Sequence, residues 1–256
     1  MKKIKLSIFI LASALATEAS AIELTGWTGV GNFGTLGADG VVTLSPFAGS
    51  TQYGYVTTAG GVGGVGLGLG AETNGSVINS PVFSANAGDL LEFYFNFVTS
   101  DGAGFADYGW AKLLDSTMTE VALLFTARTT PGGDTVPGFE MPPLNATLDP
   151  LSTPIIGGAP NWSPLDGSSG SCYATGCGYT GWIKASYEIA DAGNYILQMG
   201  VVNWLDEAYD TGMAFDGATI AGQDIGGGNN VPEPAALALL GLGFAGMGFK
   251  RRKLFA

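Results

Sequence analysis

Apolar and polar residues alternate strictly through LLEFYFNFV: Leu91, Phe93, Phe95 and Phe97 fall on one side, and Glu92, Tyr94 and Asn96 on the other. Successive side chains of a strand point to opposite faces, so this pattern predicts a strand with one buried face. Tyr195, Leu197, Met199 and Val201 repeat the pattern in NYILQMGVVNW. EVALLFTA, Glu120–Ala127, is apolar with little alternation and predicts a strand buried on both faces. Val41–Ser45, Gln52–Thr57, Trp182–Ile189 and Met213–Ile220 are further strand candidates. Turn formers such as Asp39-Gly40, Gly88-Asp89, Asp101-Gly102 and Ala192-Gly193 separate them. No long stretch of this region has helical periodicity. Many short strands punctuated by glycine predict an all-β domain, a jelly-roll-like β-sandwich.

Thr129–Ser171 departs from this rhythm. Eight of the chain's 12 prolines lie there, which predicts a long irregular excursion. It runs directly into Cys172-Tyr-Ala-Thr-Gly-Cys177, which contains the only two cysteines. In an exported chain these predict a disulfide, Cys172–Cys177, pinning the end of the excursion. The start of the chain predicts export. Lys2, Lys3 and Lys5 precede an apolar stretch, and Ala19-Ser20-Ala21 provides small residues for cleavage, so residues 1–21 read as a secretory signal peptide. The sandwich is then assigned to residues 22–225 and a glycine-asparagine linker to 226–230.

Charge narrows the chemistry. The chain carries 10 Lys and Arg against 22 Asp and Glu, a formal net charge of −12, and no histidine. Within the domain the cations are Lys112, Arg128 and Lys184. Such a surface repels phosphate backbones and excludes nucleic acid as a partner. Without histidine there is no Ser-His-Asp or Cys-His nucleophile system. Gly61–Gly66 spells G-x-G-x-x-G, but the following Leu67-Gly-Leu-Gly70 cannot start a helix, so it is not a dinucleotide turn. Asp101, Asp107, Asp206, Asp210 and Asp216 sit in or beside glycine-rich loops and would suit a structural Ca2+, which takes six to eight oxygen ligands. Trp162 and Tyr173, in the excursion and the cysteine loop, are the aromatics expected to be exposed for stacking on a glycan. A carbohydrate-binding module is therefore one alternative reading, and a glycoside hydrolase working through paired carboxylates is another. No residues are assigned as catalytic.

The end of the chain is a separate device. Val231-Pro232-Glu233-Pro234 precedes fifteen uncharged residues, 235–249, and then Lys250-Arg251-Arg252-Lys253. Pro234 suits a first helical turn. The apolar run predicts a short transmembrane helix of about 22 Å, and the basic cluster should stay cytoplasmic. The order VPEP, apolar run, KRRK resembles the PEP-CTERM sorting signal of exported proteins in Gram-negative bacteria, over residues 231–256. The resemblance implies recognition of Pro232-Glu233-Pro234 by an exosortase, a membrane transpeptidase-like enzyme, after passage through the secretion machinery. It implies an inner-membrane intermediate followed by release to the cell surface or extracellular matrix, often alongside exopolysaccharide and biofilm formation. ETNGS (Glu72–Ser76), VTSDGAGFADYGW (Val98–Trp110), LFTARTTPGG (Leu124–Gly133), GCGYTGW (Gly176–Trp182) and AFDG (Ala214–Gly217) resemble an uncharacterised family of PEP-CTERM ectodomains. That likeness implies no catalytic residues. The sequence is thus read as a structural, exported surface or matrix protein rather than an enzyme.

Overall fold

A computed structural model describes residues 24–226 of the protein. The signal peptide, most of the linker, the PEP motif, the apolar run and the basic cluster lie outside those residues. Among the described residues no helix is long and apolar enough to cross a membrane.

Two antiparallel sheets face each other. The first contains, in spatial order, Thr28–Val30, Glu72–Asn79, Gly193–Trp204, Tyr108–Asp115 and Glu120–Arg128. The second contains Thr147–Asp149, Ile183–Glu188, Leu90–Thr99, Thr211–Ile220, Tyr53–Thr57 and Asn32–Leu36. Along the chain the long strands alternate between sheets: Tyr53–Thr57 in the second, Glu72–Asn79 in the first, Leu90–Thr99 in the second, Tyr108–Asp115 in the first. The return leg repeats this, with Ile183–Glu188 and Thr211–Ile220 in the second sheet on either side of Gly193–Trp204 in the first. The expectation of an all-β chain arranged as a sandwich is met.

The interlayer follows from strand alternation. Leu91, Phe93, Phe95 and Phe97 of the second sheet meet Leu113, Leu197, Met199 and Val201 of the first, with Met213 and Phe215 beside them. Phe95 stacks on Phe125 across the layers at 3.6 Å between centroids. Fully burying such side chains contributes about 1.5–3 kcal/mol each, before conformational entropy is subtracted.

Both outer faces are also partly covered. Over the second sheet, Val42, Trp162 and Leu165 pack on Tyr53, Val98 and Ala214. Val41–Ser45, expected to be a strand, is instead part of this cover and makes only an isolated bridge, Asp39 to Val42. Over the first sheet, Val65 and Leu67 lie against Tyr108 and Trp110. Val65 belongs to the G-x-G-x-x-G stretch and Leu67 directly follows it; the segment forms a two-residue edge strand, Val62–Gly63, and a loop. Glu72 holds that loop closed, accepting hydrogen bonds from Leu69 N, Gly70 N and the Tyr108 hydroxyl.

The sandwich has two distinct poles. Leu90, Asp115, Gly193 and Ile220 mark one, and Thr99, Tyr108, Trp204 and Thr211 the other. Leu24 packs against the core and Gly226 lies near the Trp27 indole, so both ends of the described chain leave from neighbouring positions. Ile225 N bonds to Ala218 O, seven residues along the strand from Thr211. At about 3.3 Å per residue, this exit lies roughly 20 Å from the opposite pole.

Candidate functional site

At that opposite pole, inward-facing positions change character. The alternation that places Met199 and Val201 in the core continues to Asn203; that of Leu113 and Ala111 continues to Asp107. Register pairs Val202 with Tyr108, which sets Asn203 opposite Asp107 on the same face. From the second sheet, Phe97 is followed inward by Thr99, and Met213 is preceded by Thr211; the two threonines are register partners. The greasy interlayer therefore ends in a polar layer.

The hydrogen bonds connect this layer across the sheets. Asp107 Oδ1 accepts Trp204 N at 2.8 Å and Oδ2 accepts the Thr211 hydroxyl at 2.6 Å. The Thr211 and Thr99 hydroxyls share a bond of 2.6 Å, and Thr99 Oγ1 accepts Asp101 N at 3.1 Å. Asp101 and Asp107 are each 1% exposed. Burial pushes the Asp101 carboxyl up to about 7, against the pull of the Gly102 N–H, and the nearby Asp206 raises it further. Burial also lifts Asp107 well above the carboxylate range.

The cysteine loop lies over this layer. The Cys172–Cys177 disulfide forms as expected. Tyr173 N donates to Ser100 O at 2.9 Å, Ala103 N to Thr175 O at 3.0 Å, and the Thr129 hydroxyl to Gly176 O at 2.6 Å. A side chain on Gly102 would come within 2.5 Å of Ala174 Cβ, so only glycine allows the two loops to approach this closely.

Three aromatic rings meet on the outside of this junction. Tyr173 lies 5.5 Å from Phe105 and 5.2 Å from Tyr209, centroid to centroid. Tyr173 is 49% exposed and Tyr209 37%, with Phe105 half-buried between loops. Leu205 adds an exposed apolar side chain in the same 205–209 turn. Leu205 and Tyr209 both hold left-handed backbone, at φ 73° and 60°. Each costs on the order of 1 kcal/mol relative to relaxed backbone, the kind of strain that clusters at working surfaces.

The predicted site residues divide accordingly. Tyr173 is exposed as expected. Trp162 is not: it is fully buried, its Nε1 donates to the Tyr53 hydroxyl at 3.0 Å, and it sits edge-on to Tyr55. Gly212 leaves the space that its ring fills. The excursion folds back onto the sheet, so Trp162 is a packing residue and not a sugar platform. The five aspartates named as calcium candidates are spread over three settings. Asp101, Asp107 and Asp206 face one another electrostatically. Asp210 instead accepts the Thr58 and Ser168 hydroxyls at 3.1 and 2.9 Å. Asp216 is elsewhere in the second sheet, buried, and filled by donors: the Ser45 and Ser50 hydroxyls and Gly217 N. Among the described residues no three His, Cys, Asp or Glu side chains form a group that could hold a metal by themselves.

Phe105, Tyr209 and Asn203 are the functional candidates that the sequence reading did not single out. The signal for the first two was an aromatic flanked by glycine, aspartate or alanine within a turn, where no core position is due. Asn203 carried a signal too, as a polar residue on the inward face of an otherwise apolar strand. Elsewhere, an open groove of about 490 Å3 is lined by Leu24, Thr25, Phe33, Gly34, Thr35 and Gln52 and contains no carboxylate.

Comparison with known proteins bears on the tail. Residues 230–253 match the PEP-CTERM protein-sorting motif. The chain carries a PEP-CTERM sorting signal. The signal implies an exported protein, processed by an exosortase and passing through a membrane-anchored intermediate. No curated protein matches the sequence. Solved structures similar to it include tailspike protein 4 of bacteriophage CBA120, at 8% identity and a TM-score of 0.34, over 78% of this chain and 20% of that one. The K1 cleaved adhesin domain of Lys-gingipain from Porphyromonas gingivalis W83 matches at 9% and 0.34, over 77% and 90%. A CBM4 structure matches at 10% and 0.29, over 77% and 94%. The chain spans only a fifth of the tailspike. Likenesses this distant assign neither ligand nor activity to the PEP-CTERM protein.

Proposed function

We propose that this PEP-CTERM protein is a cell-surface or matrix component that binds glycan and performs no catalysis. The observation that carries the reading is the Phe105–Tyr173–Tyr209 surface. Exposed, mutually supported rings present the apolar faces on which sugar rings stack. They stand at the pole farthest from the point where the chain leaves for its sorting tail. A protein held or released at that tail would direct its aromatic end away from the membrane. The hydroxyls of Tyr173 and Tyr209, with Asp206 and Glu207 on the adjoining turn, supply the polar contacts that give a stacked sugar its orientation.

The acidic, cation-poor surface favours neutral polysaccharide over phosphate-bearing polymer. The non-catalytic reading rests on the carboxylates. Asp101 and Asp107, the closest approach to a catalytic pair, are buried beneath the cysteine loop and do not face a cleft. A structural role in exopolysaccharide or biofilm follows from the same surface, since a domain that binds the matrix polymer is retained by it.

The exported, processed protein should be retarded in native gels containing neutral polysaccharide. Tyr173→Ala and Tyr209→Ala should each abolish most of the retardation, at about 1–3 kcal/mol per lost stacking contact by analogy with base stacking. Trp162→Phe should leave it intact. Retardation unchanged in the double tyrosine variant would refute the glycan surface. Separately, replacing Pro232-Glu233-Pro234 by alanines should leave the protein in the membrane fraction; release at normal mass would refute recognition of that motif.

A further inference from the structure

The polar layer beneath the aromatic pole has too many acceptors. Asp101 Oδ1 takes the Gly102 N–H at 2.6 Å, but Asp101 Oδ2 is buried with no donor. Asn203 gives its amide N–H to Asn74 Oδ1 at 2.9 Å, and its own Oδ1 is likewise buried with no donor. Asn203 and Asp101 are 0% and 1% exposed, so neither oxygen is satisfied by bulk water. Asp107, opposite Asn203 in register, brings a second buried carboxylate into the layer.

No ion pair among the described residues neutralises these charges, although the Arg128 guanidinium feels the field of Asp107. Among the described residues the ion pairs are Lys112–Glu120 and Lys184–Glu92, both elsewhere. Arg128 comes nearest. Its Nε donates to Ala106 O at 2.9 Å and its guanidinium lies 4.4 Å over the Trp204 ring, making no ion pair with Asp101 or Asp107. Two buried carboxylates without a counter-charge cost several kcal/mol each.

We infer that this end of the interlayer is a cation site in which Asp101, Asp107 and Asn203 hold a calcium ion between the two sheets. The donors are all oxygen, which selects a hard cation; zinc is disfavoured because the chain has no histidine and its cysteines are joined to each other. The ligands come from irregular strand ends and a glycine-rich loop, which suit the flexible coordination of calcium better than the strict octahedron of magnesium. Waters complete the shell, and the partly exposed Asp206 adds negative field at the rim. The ion would tie the Asp101 loop to both sheets, and that loop carries Phe105. The inference stands independently of the glycan reading, because it concerns the buried layer and not the rings above it.

The test uses the exported protein stripped with a chelator. One calcium ion per chain should bind in calorimetry. Calcium at about a hundredfold over Kd should raise Tm by about 5–10 °C for a domain of this size. Terbium should substitute, with emission sensitised through Trp204. Asp101→Asn should weaken binding at least tenfold, and Asn203→Ala should do the same while leaving both carboxylates in place. Asp216→Asn should retain the full calcium shift. Absence of bound calcium and of any Tm shift in the wild type would overturn the inference, leaving protons and water in the layer. So would an equal shift in Asn203→Ala and wild type. Should Asp101→Asn fail to fold, the Asn203→Ala result and the wild-type stoichiometry decide.

Discussion

Replacing Glu72 by glutamine tests whether one carboxylate holds the glycine-rich loop onto the first sheet. Glu72 accepts the Tyr108 hydroxyl and Gly70 N at 2.7 Å each, and Leu69 N as well. Burial is the largest single influence and raises its carboxyl, but the hydrogen-bond donors, led by the Tyr108 hydroxyl, together outweigh it and hold the group at about 2 instead of the ordinary 4.5. At about 1.4 kcal/mol per pKa unit this sets a ceiling near 3 kcal/mol. The group is partly solvated, so screening should leave about 1–2 kcal/mol. A carboxyl with a depressed folded-state value contributes stability that is present above its unfolded value and lost as pH falls toward the folded one. Thermal unfolding of the exported protein, followed by tryptophan fluorescence, should therefore show Glu72→Gln melting about 2–6 °C below wild type at pH 7. The gap should close between pH 5 and pH 2, as the wild type acquires the proton that the amide mimics. A gap of the same size at both extremes, or none at pH 7, would refute the account.

Two further substitutions probe packing and buried charge. Gly200→Ala places a methyl 2.3 Å from the Trp110 indole and should cost about 1–3 kcal/mol by urea unfolding, because the ring cannot retreat from a close-packed face. Burial raises the Asp216 carboxyl despite its Ser45, Ser50 and Gly217 donors. Its contribution is therefore present at low pH and lost as pH rises through the raised value, so Asp216→Asn should gain stability relative to wild type from pH 4 upward; a pH-independent difference in Tm would refute that sign.

The long strands were legible because their alternation records a real asymmetry between core and outer face. Leu91–Phe97 and Tyr195–Val201 are the strongest cases, and Glu120–Ala127 showed by its lack of alternation that both sides are covered. Glu72–Asn79 and Tyr108–Asp115 escaped notice. Thr73, Asn74, Gly75 and Ser76 show no apolar period, and the strand is held by pairing on both sides. Val41–Ser45 was misread because an apolar run that plugs an outer face looks the same as one within a sheet. Trp162 was misplaced for a related reason. Its proline-rich surroundings signal a loop, but they do not say that the loop returns to a sheet thinned at Gly212. Asp101 and Asp107 were read in one loop and Asp206 and Asp210 in another, and nothing in the sequence showed that Asp206 comes within electrostatic reach of the first pair. The place of Asn203 beside that pair depends on strand register, which becomes visible only once Val202 is known to pair with Tyr108.

The neighbouring exits of Leu24 and Gly226 have a mechanical consequence. Force applied along a filament through these two points would pass from one to the other beside Trp27 and bypass most of the sandwich. Copies strung in series would hang as pendants from a common thread without lengthening it, and the aromatic tips would keep their shape under strain.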